Sequence, residues 1–314
     1  MDIPFALIIT GPTGSGKTDL ALKVAECISS EIINADIGQF YTKFSVGTAK
    51  PDWKSSKIKH HLFDIINEPE NYTVVQFRKI VLDKVKEIYG KGKLPIIVGG
   101  SLFYLKTLYY PTSDFSEINK SNLDIKKTKN LWGQLNEIDS DRASQIHPND
   151  VYRISRALEI WRKTGRKPSL YLPKFSPEFN SVFVFLLPQK EVLRERINNR
   201  TVEMIQSGWI DEVETIIGTE WESFLQFKKF IGYSEIMAWL NSEKKDLKGL
   251  ISNIQNKTWD YARRQIIFWR SFGKRLTEDS RSASYECRPL LVENNSEKTL
   301  KVIISQIDSK FSSL

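Results

Sequence analysis

The stretch Phe5-Ala-Leu-Ile-Ile-Thr10-Gly11-Pro12-Thr13-Gly14-Ser15-Gly16-Lys17-Thr18 decides the fold. Its first six residues form an apolar run of the length of one buried strand. Residues 11 to 18 match G-x-x-x-x-G-K-[ST] in full. The following run, Thr18 to Ile28, places Leu20, Ala21, Val24 and Ala25 on one side of a helix. Strand, glycine-rich turn and helix in that order are the context of a phosphate loop. The glycines let backbone N–H groups turn toward a phosphate, and the helix start adds the positive end of its dipole. Gly11, Pro12, Thr13, Gly14, Ser15, Gly16, Lys17 and Thr18 are therefore the candidate phosphate-binding residues. Lys17 reaches the outer phosphates as a point charge. Thr18 is the candidate ligand of Mg²⁺, a cation that keeps its waters and bridges phosphate oxygens.

Outward from the loop, strand-like and helix-like runs alternate through the first 110 residues, the pattern of a parallel α/β sheet. Glu31 to Ala35 and Leu94 to Val98 read as strands. Val74 to Tyr89 reads as a helix, with Val74, Phe77, Val81, Val85 and Ile88 at spacings of three and four. After Pro111 the chain turns polar and helical until about Pro177. Ser181 to Leu187 then returns as a strand, so the middle piece looks like an insertion. Beyond it only helices are expected, Glu191 to Gln206 and a long one from Leu247 to Phe272. The expected fold is thus α/β: a P-loop parallel sheet core flanked by helices (residues 1–112 and 178–280), an inserted helical domain (113–177), a helical C-terminal part and a weakly ordered polar tail (281–314).

Phosphate loops serve kinases, NTPases and enzymes that expel diphosphate, so the reaction needs other residues. An NTPase would carry an apolar strand ending in an Asp that holds Mg²⁺. The strand Pro95-Ile-Ile-Val98 ends instead in Gly99-Gly100-Ser101. The strand-end carboxylate nearby is Asp36, after Ile32-Ile33-Asn34-Ala35, and it points into the crevice where α/β sheets bind ligands. It can act as metal ligand or as general base.

Composition narrows the class. Apolar residues make up 40% and charged residues 27%, as in ordinary globular chains. No run of about 18 apolar residues exists, so no membrane span is expected. Cys27 and Cys287 form no CxxC or metal-ligand spacing, which points to a reducing, cytoplasmic setting. The net charge of +8 attracts polyanions, nucleic acid above all. On the long C-terminal helix Arg263, Arg270 and Lys274 share a stripe beside an apolar one of Trp259, Ala262, Ile266 and Trp269. Arg153 and Arg156 sit one turn apart on an earlier helix, whose buried stripe is expected to be Val151, Ile154, Leu158 and Trp161.

With these residues in view, the chain resembles the tRNA dimethylallyltransferases, also called tRNA isopentenyltransferases. The resemblance runs from residue 3 to about 275. It rests on the phosphate loop, then on Asp36-Ile37-Gly38-Gln39-Phe-Tyr41 with Gly47-Thr-Ala-Lys-Pro51, and on His60-His-Leu-Phe-Asp64 and Tyr72 to Arg78. Further blocks are Ile146 to Glu159, Arg196 to Arg200, Ile231 to Ile236 and Tyr261 to Arg270. Three positions depart from the pattern: Ile37 stands where the family has Ser, Gly38 where it has Met, and Leu102 where it has a third glycine.

The resemblance implies transfer of a dimethylallyl group from dimethylallyl diphosphate to N6 of the tRNA adenosine 3′-adjacent to the anticodon (position 37). It makes Lys17, Asp36 and Ser101 catalytic and adds Arg200 to the diphosphate site. A base must leave its stack to react in such a pocket, with Gln39 suited to read an adenine edge. The anticodon stem-loop would meet Asp36, Ile37, Gly38, Gln39, Ser101, Tyr152, Arg153, Ile154, Ser155, Arg156, Arg263, Arg270 and Lys274, the inserted domain serving as a tRNA-binding unit. One chain supplies crevice and RNA surface, so a monomer suffices. The rival readings are a P-loop enzyme acting on free adenine nucleotides (kinase or prenyltransferase) and a nucleotide-gated RNA-binding module, the latter disfavoured because a switch needs no base. The paired histidines His60 and His61 lack a third metal ligand.

Overall fold

The computed structural model describes residues 3–112, 130–281 and 285–311. β1 (Phe5–Thr10) is buried throughout and runs through the phosphate loop into α1 (Lys17–Cys27). β2 (Ser30–Asn34) and the short β3 (His60–His61) follow, then α2 (Val74–Tyr89), β4 (Leu94–Val98) and α3 (Leu102–Thr107). α4 (Leu131–Ile138), α5 (Ser140–Ser144) and α6 (Val151–Thr164) precede β5 (Asn180–Leu186). Next come α7 (Lys190–Gln206), α8 (Trp209–Glu214), α9 (Glu220–Lys228), α10 (Tyr233–Leu240) and α11 (Leu247–Ser280). The chain closes with β6 (Cys287–Val292) and α12 (Glu297–Phe311).

The six strands form one parallel sheet in the order β3-β2-β4-β1-β5-β6. β1 lies between β4, with Leu7 opposite Ile96, and β5, with Ile8 opposite Phe183. Both faces are covered, which is why the central strands are apolar runs rather than alternating ones. Strand period two sends Leu7, Ile9, Ile96 and Val184 to a face packed by Leu20 and Val24 of α1 and Ile303 and Ile307 of α12. Ala6, Ile8, Ile97, Phe183 and Phe185 face the other side, with Phe77 and Val81 of α2 and Trp269 and Phe272 of α11. Trp269 stacks on Phe185 with ring centroids 4.5 Å apart and on Phe183 at 5.1 Å, so α11 is clamped to the sheet.

Residues 285–311 correct two expectations. They are not a weakly ordered tail, and the chain after β5 is not helical only. β6 pairs with β5 from Ser181↔Cys287 to Leu186↔Val292, and α12 packs on α1. The segment reads as polar because an edge strand and an outer helix each bury only part of their surface. The apolar positions Leu300, Ile303 and Ile307 nevertheless fall at helical spacing.

α4, α5 and α6 share a separate small core of Leu131, Leu135, Ala143, Ile146, Ile154, Ala157 and Leu158. Residues 113–129 of the expected insertion lie outside the described residues. The buried stripe of α6 is narrower than its periodicity suggests. Val151 is 40% exposed and Trp161 38%, whereas Ile154 and Leu158 are at 1%. A helix with few neighbours buries one thin seam and leaves its flanks in water.

The histidine pair has a structural explanation. Nε2 of His61 lies 2.7 Å from Glu31, whose other oxygen accepts from Lys93 at 2.8 Å. The carboxylate can only accept, so Nε2 carries the proton. Burial holds His61 below its ordinary value against the pull of Glu31. The Lys93 and His61 hydrogen bonds hold Glu31 below the usual carboxylate range although burial works the other way. Both folded values are depressed, so both contributions are present at neutral pH and are lost as pH falls. Glu31→Ala strands the buried His61 donor, while Lys93, 40% exposed, can turn to water, and is expected to cost about 1–3 kcal/mol. Urea unfolding should show that loss at pH 7.5 and a smaller difference near pH 4.

Candidate active site

The carboxyl ends of β1, β2 and β4 open on one crevice, and each delivers its own chemistry: the phosphate loop, Asp36, and Gly99 to Ser101. Gly14 and Gly16 have φ of +80° and +89°, which only glycine adopts without strain. Gly16 caps α1 with no side-chain hydrogen bond, so the first amides of the helix keep their donors for a ligand. The loop is held from behind. Arg196 of α7 donates to the Ser15 carbonyl at 3.1 Å, and Thr13 N–H donates to Gln265 of α11 at 3.0 Å.

Asn34 fixes the Asp36 backbone by accepting from its N–H at 2.9 Å and donating to the Leu62 carbonyl. Among the described residues no donor is hydrogen-bonded to the Asp36 carboxylate, which leaves it free to accept a proton. Gly100 lies between acid and ammonium: a methyl group there would sit 3.5 Å from Asp36 Oδ2 and 3.5 Å from Lys17 Nζ. Burial lowers the Lys17 ammonium to about 8; Asp36 opposes that shift and Arg200 adds to it. The Arg200 guanidinium is likewise lowered by burial against the pull of Asp36. Lys17 and Arg200 thus meet Asp36, and Lys228, Lys229 and Arg264 line the same cavity, an excess of positive charge that a diphosphate would balance.

Ser101 occupies the cap position of α3 but makes no cap bond. Its Oγ instead accepts from Ile37 N–H at 3.2 Å, so its own proton is free to point into the crevice. Gln39 donates to the carbonyls of Thr48 and Ala49 at 3.0 and 3.3 Å, which turns its Oε1 away from that loop. The loop itself is anchored by Glu212, which accepts from the amides of Ser45, Val46 and Gly47 and from Tyr233. Gly47 is pressed so closely on Trp209 and Tyr233 that any side chain would collide with both rings.

A cavity of about 580 Å³ gathers Lys17, Thr18, Asp36, Ile37, Gly38, Gln39, Ser101 and Arg200. A second, of about 610 Å³, meets it at Lys17, Thr18 and Arg200. The share of α11 is absent from the sequence-based expectation. Thr258, Tyr261, Arg264 and Gln265 line the cavity at helical spacing, while the basic stripe with Arg263 faces outward. Burial and then the charge of Asp36 raise Tyr261, so its hydroxyl keeps its proton. The signal for these residues is the polar side of the same helix, which its charged stripe overshadows. Leu102, one of the three departures, is buried in the core.

The other RNA candidates lie elsewhere. Tyr152 is 78% exposed, Arg153 pairs with Asp150 at 3.3 Å and Arg156 with Glu159 at 3.3 Å. Ile154 and Ser155 are buried, so they can support a surface but not form one. Lys106 of α3 and Arg275 of α11 both lie over the Tyr110 ring, at 5.8 and 4.2 Å, and burial, then the charges of Arg275 and of Arg153 on α6, lower Lys106. Thr18 is exposed at the start of α1. No group of three or more His, Cys, Asp or Glu among the described residues is arranged around a metal. The oxygens present fit a hard cation held by Thr18, substrate phosphates and water.

This sheet, phosphate loop and free carboxylate define a P-loop α/β fold with an open crevice at its strand ends. The family model described as IPP transferase matches residues 39–272. The chain belongs to that family. It is 36% identical to the tRNA dimethylallyltransferase of Pseudothermotoga lettingae, across 89% of this chain and 91% of that protein. It is 34% identical to the tRNA dimethylallyltransferase of Thermotoga maritima, across 91% and 98%. Among solved structures, the tRNA delta(2)-isopentenylpyrophosphate transferase of Staphylococcus epidermidis aligns with TM-score 0.62 and 26% identity, over 98% of this chain and all of that one. A eukaryotic dimethylallyltransferase acting on tRNA aligns with TM-score 0.75 and 28% identity, over 99% and 77%.

Proposed function

We propose that this chain transfers the dimethylallyl group of dimethylallyl diphosphate to N6 of the tRNA adenosine 3′-adjacent to the anticodon (position 37). The observation that carries the reading is the Asp36 carboxylate and the Lys17 ammonium meeting at the glycine-sized space of Gly100, with Arg200 lining the same cavity. The allylic C–O bond breaks, the N6–C bond forms, one proton passes from N6 to Asp36, and diphosphate leaves. Loop amides, Lys17 and Arg200 stabilise the charge that develops on the leaving oxygen. Ser101 donates a hydrogen bond within the crevice. Mg²⁺ bound at Thr18 would supply further charge neutralisation of the diphosphate. Gln39 presents an acceptor, which suits an exocyclic amine. The enzyme works as a monomer in the reducing cytoplasm; no described helix is long and apolar enough to cross a membrane.

Incubation with Mg²⁺, labelled dimethylallyl diphosphate and bulk tRNA should place label in RNA. Label in free AMP alone would promote the free-nucleotide reading. The surface of α6 and the outer stripe of α11 hold the anticodon stem-loop through its phosphates, with Arg153, Arg156, Arg263, Arg270 and Lys274 joined by Lys106 and Arg275. Binding should weaken steeply with salt. The double variants Arg153→Ala with Arg156→Ala, and Arg263→Ala with Arg270→Ala, should each flatten the log–log salt slope by roughly 0.7–0.9 for every phosphate that is no longer neutralised. Filter binding across a salt series measures it, and an unchanged slope in both returns these residues to a solvated face.

A further inference from the structure

We propose that Gln265 is a positioning residue that sets the spacing between the phosphate loop and the Gly100–Ser101 turn. It lies in the middle of the 34-residue α11 and is 6% exposed, a place where an unpaired amide would be costly. Both of its ends are paired, and each with backbone of a loop that carries chemistry. Oε1 accepts from Thr13 N–H at 3.0 Å, and Nε2 donates to the Gly100 carbonyl at 2.8 Å. Because one partner is an N–H and the other a C=O, the amide has a single orientation. Among side chains of its length, only the amide supplies both a donor and an acceptor without charge at neutral pH; a carboxyl does so only when protonated.

The bridge falls where small displacements matter. A methyl group on Gly100 would lie 2.9 Å from Gln265 Nε2 and 3.5 Å from both Asp36 Oδ2 and Lys17 Nζ. The amide therefore holds the turn that separates acid from ammonium, and the same side chain holds the third residue of the phosphate loop. Behind it, Trp269 one turn later is stacked on the sheet, so the anchor is rigid. Gln265 touches neither reacting group in this arrangement; it acts through Thr13 and Gly100. Misplacing reacting groups by about 1 Å costs on the order of 10²-fold in rate.

The inference rests on the prenyl-transfer reading for its kinetic arm, and on diphosphate binding alone for the other. Gln265→Leu removes both hydrogen bonds, and Gln265→Glu keeps the acceptor but loses the donor while ionised. Gln265→Leu should lower kcat by roughly 10- to 10²-fold and weaken inorganic diphosphate by calorimetry, with tRNA affinity within about twofold. The rate of Gln265→Glu relative to the unsubstituted enzyme should rise as pH falls from 8 to 5.5, since a protonated Glu can again donate to Gly100. Measured at pH values where circular dichroism shows both proteins fully folded, a structural role alone gives no such pH-dependent ratio. A flat ratio, or diphosphate affinity unchanged in Gln265→Leu, overturns the proposal. Should Gln265→Leu fail to fold, the ratio for Gln265→Glu decides. Were the unsubstituted enzyme to transfer no label at all, the reaction reading would fail, and diphosphate affinities would still decide the role of Gln265.

Discussion

Asp36→Asn is expected to lower the transfer rate by about 10²-fold or more, the usual scale for losing a general base, while tRNA affinity stays near that of the unsubstituted enzyme. The substitution keeps size and shape. Asn34 holds the residue through its backbone N–H, not its carboxylate, so the loop should not move. What disappears is the proton acceptor. The N6 lone pair is delocalised into the adenine ring, so the amine attacks only as its proton is taken. Single-turnover transfer with labelled dimethylallyl diphosphate separates this step from binding. A loss of tRNA affinity with unchanged turnover would make Asp36 a binding group instead.

Lys17→Ala is expected to cost about 10³-fold in kcat/KM for dimethylallyl diphosphate, the upper scale for one leaving-group donor. Its ammonium shares the crevice with Arg200, and burial has already lowered it to about 8. The sign of the pH dependence follows. Below about 8 the free enzyme carries the charge that diphosphate needs; above it the proton is lost and affinity falls. Bound diphosphate favours the protonated form, so binding near pH 8 should take up a proton. Calorimetry in buffers of different ionisation enthalpy reads that uptake directly. Lys17→Arg keeps its charge throughout and should lose the break near pH 8. Transfer by Lys17→Ala at the unsubstituted rate would remove the phosphate loop from the mechanism.

The sequence alone determined the phosphate loop, the parallel sheet and the acid at the end of β2. Those features are local: a strand, a turn needing positive φ and a helix start are contiguous in the chain, so their pattern survives without the rest of the fold. Asp36 was legible for the same reason, as the residue that follows an apolar run. The closing strand and helix were not legible because half-buried elements at a sheet edge dilute the apolar signal with polar positions. Only the tertiary structure decided which side of α11 faces the crevice. Arg263 and Arg264 are neighbours in the chain, yet one points outward and the other lines the cavity. That choice is set by Trp269 stacking on Phe183 and Phe185, residues far from it in the chain. The hydrogen bonds of Gln265 to Thr13 and Gly100 span 252 and 165 residues. No local pattern encodes them; packing the long helix on the sheet brings the three together.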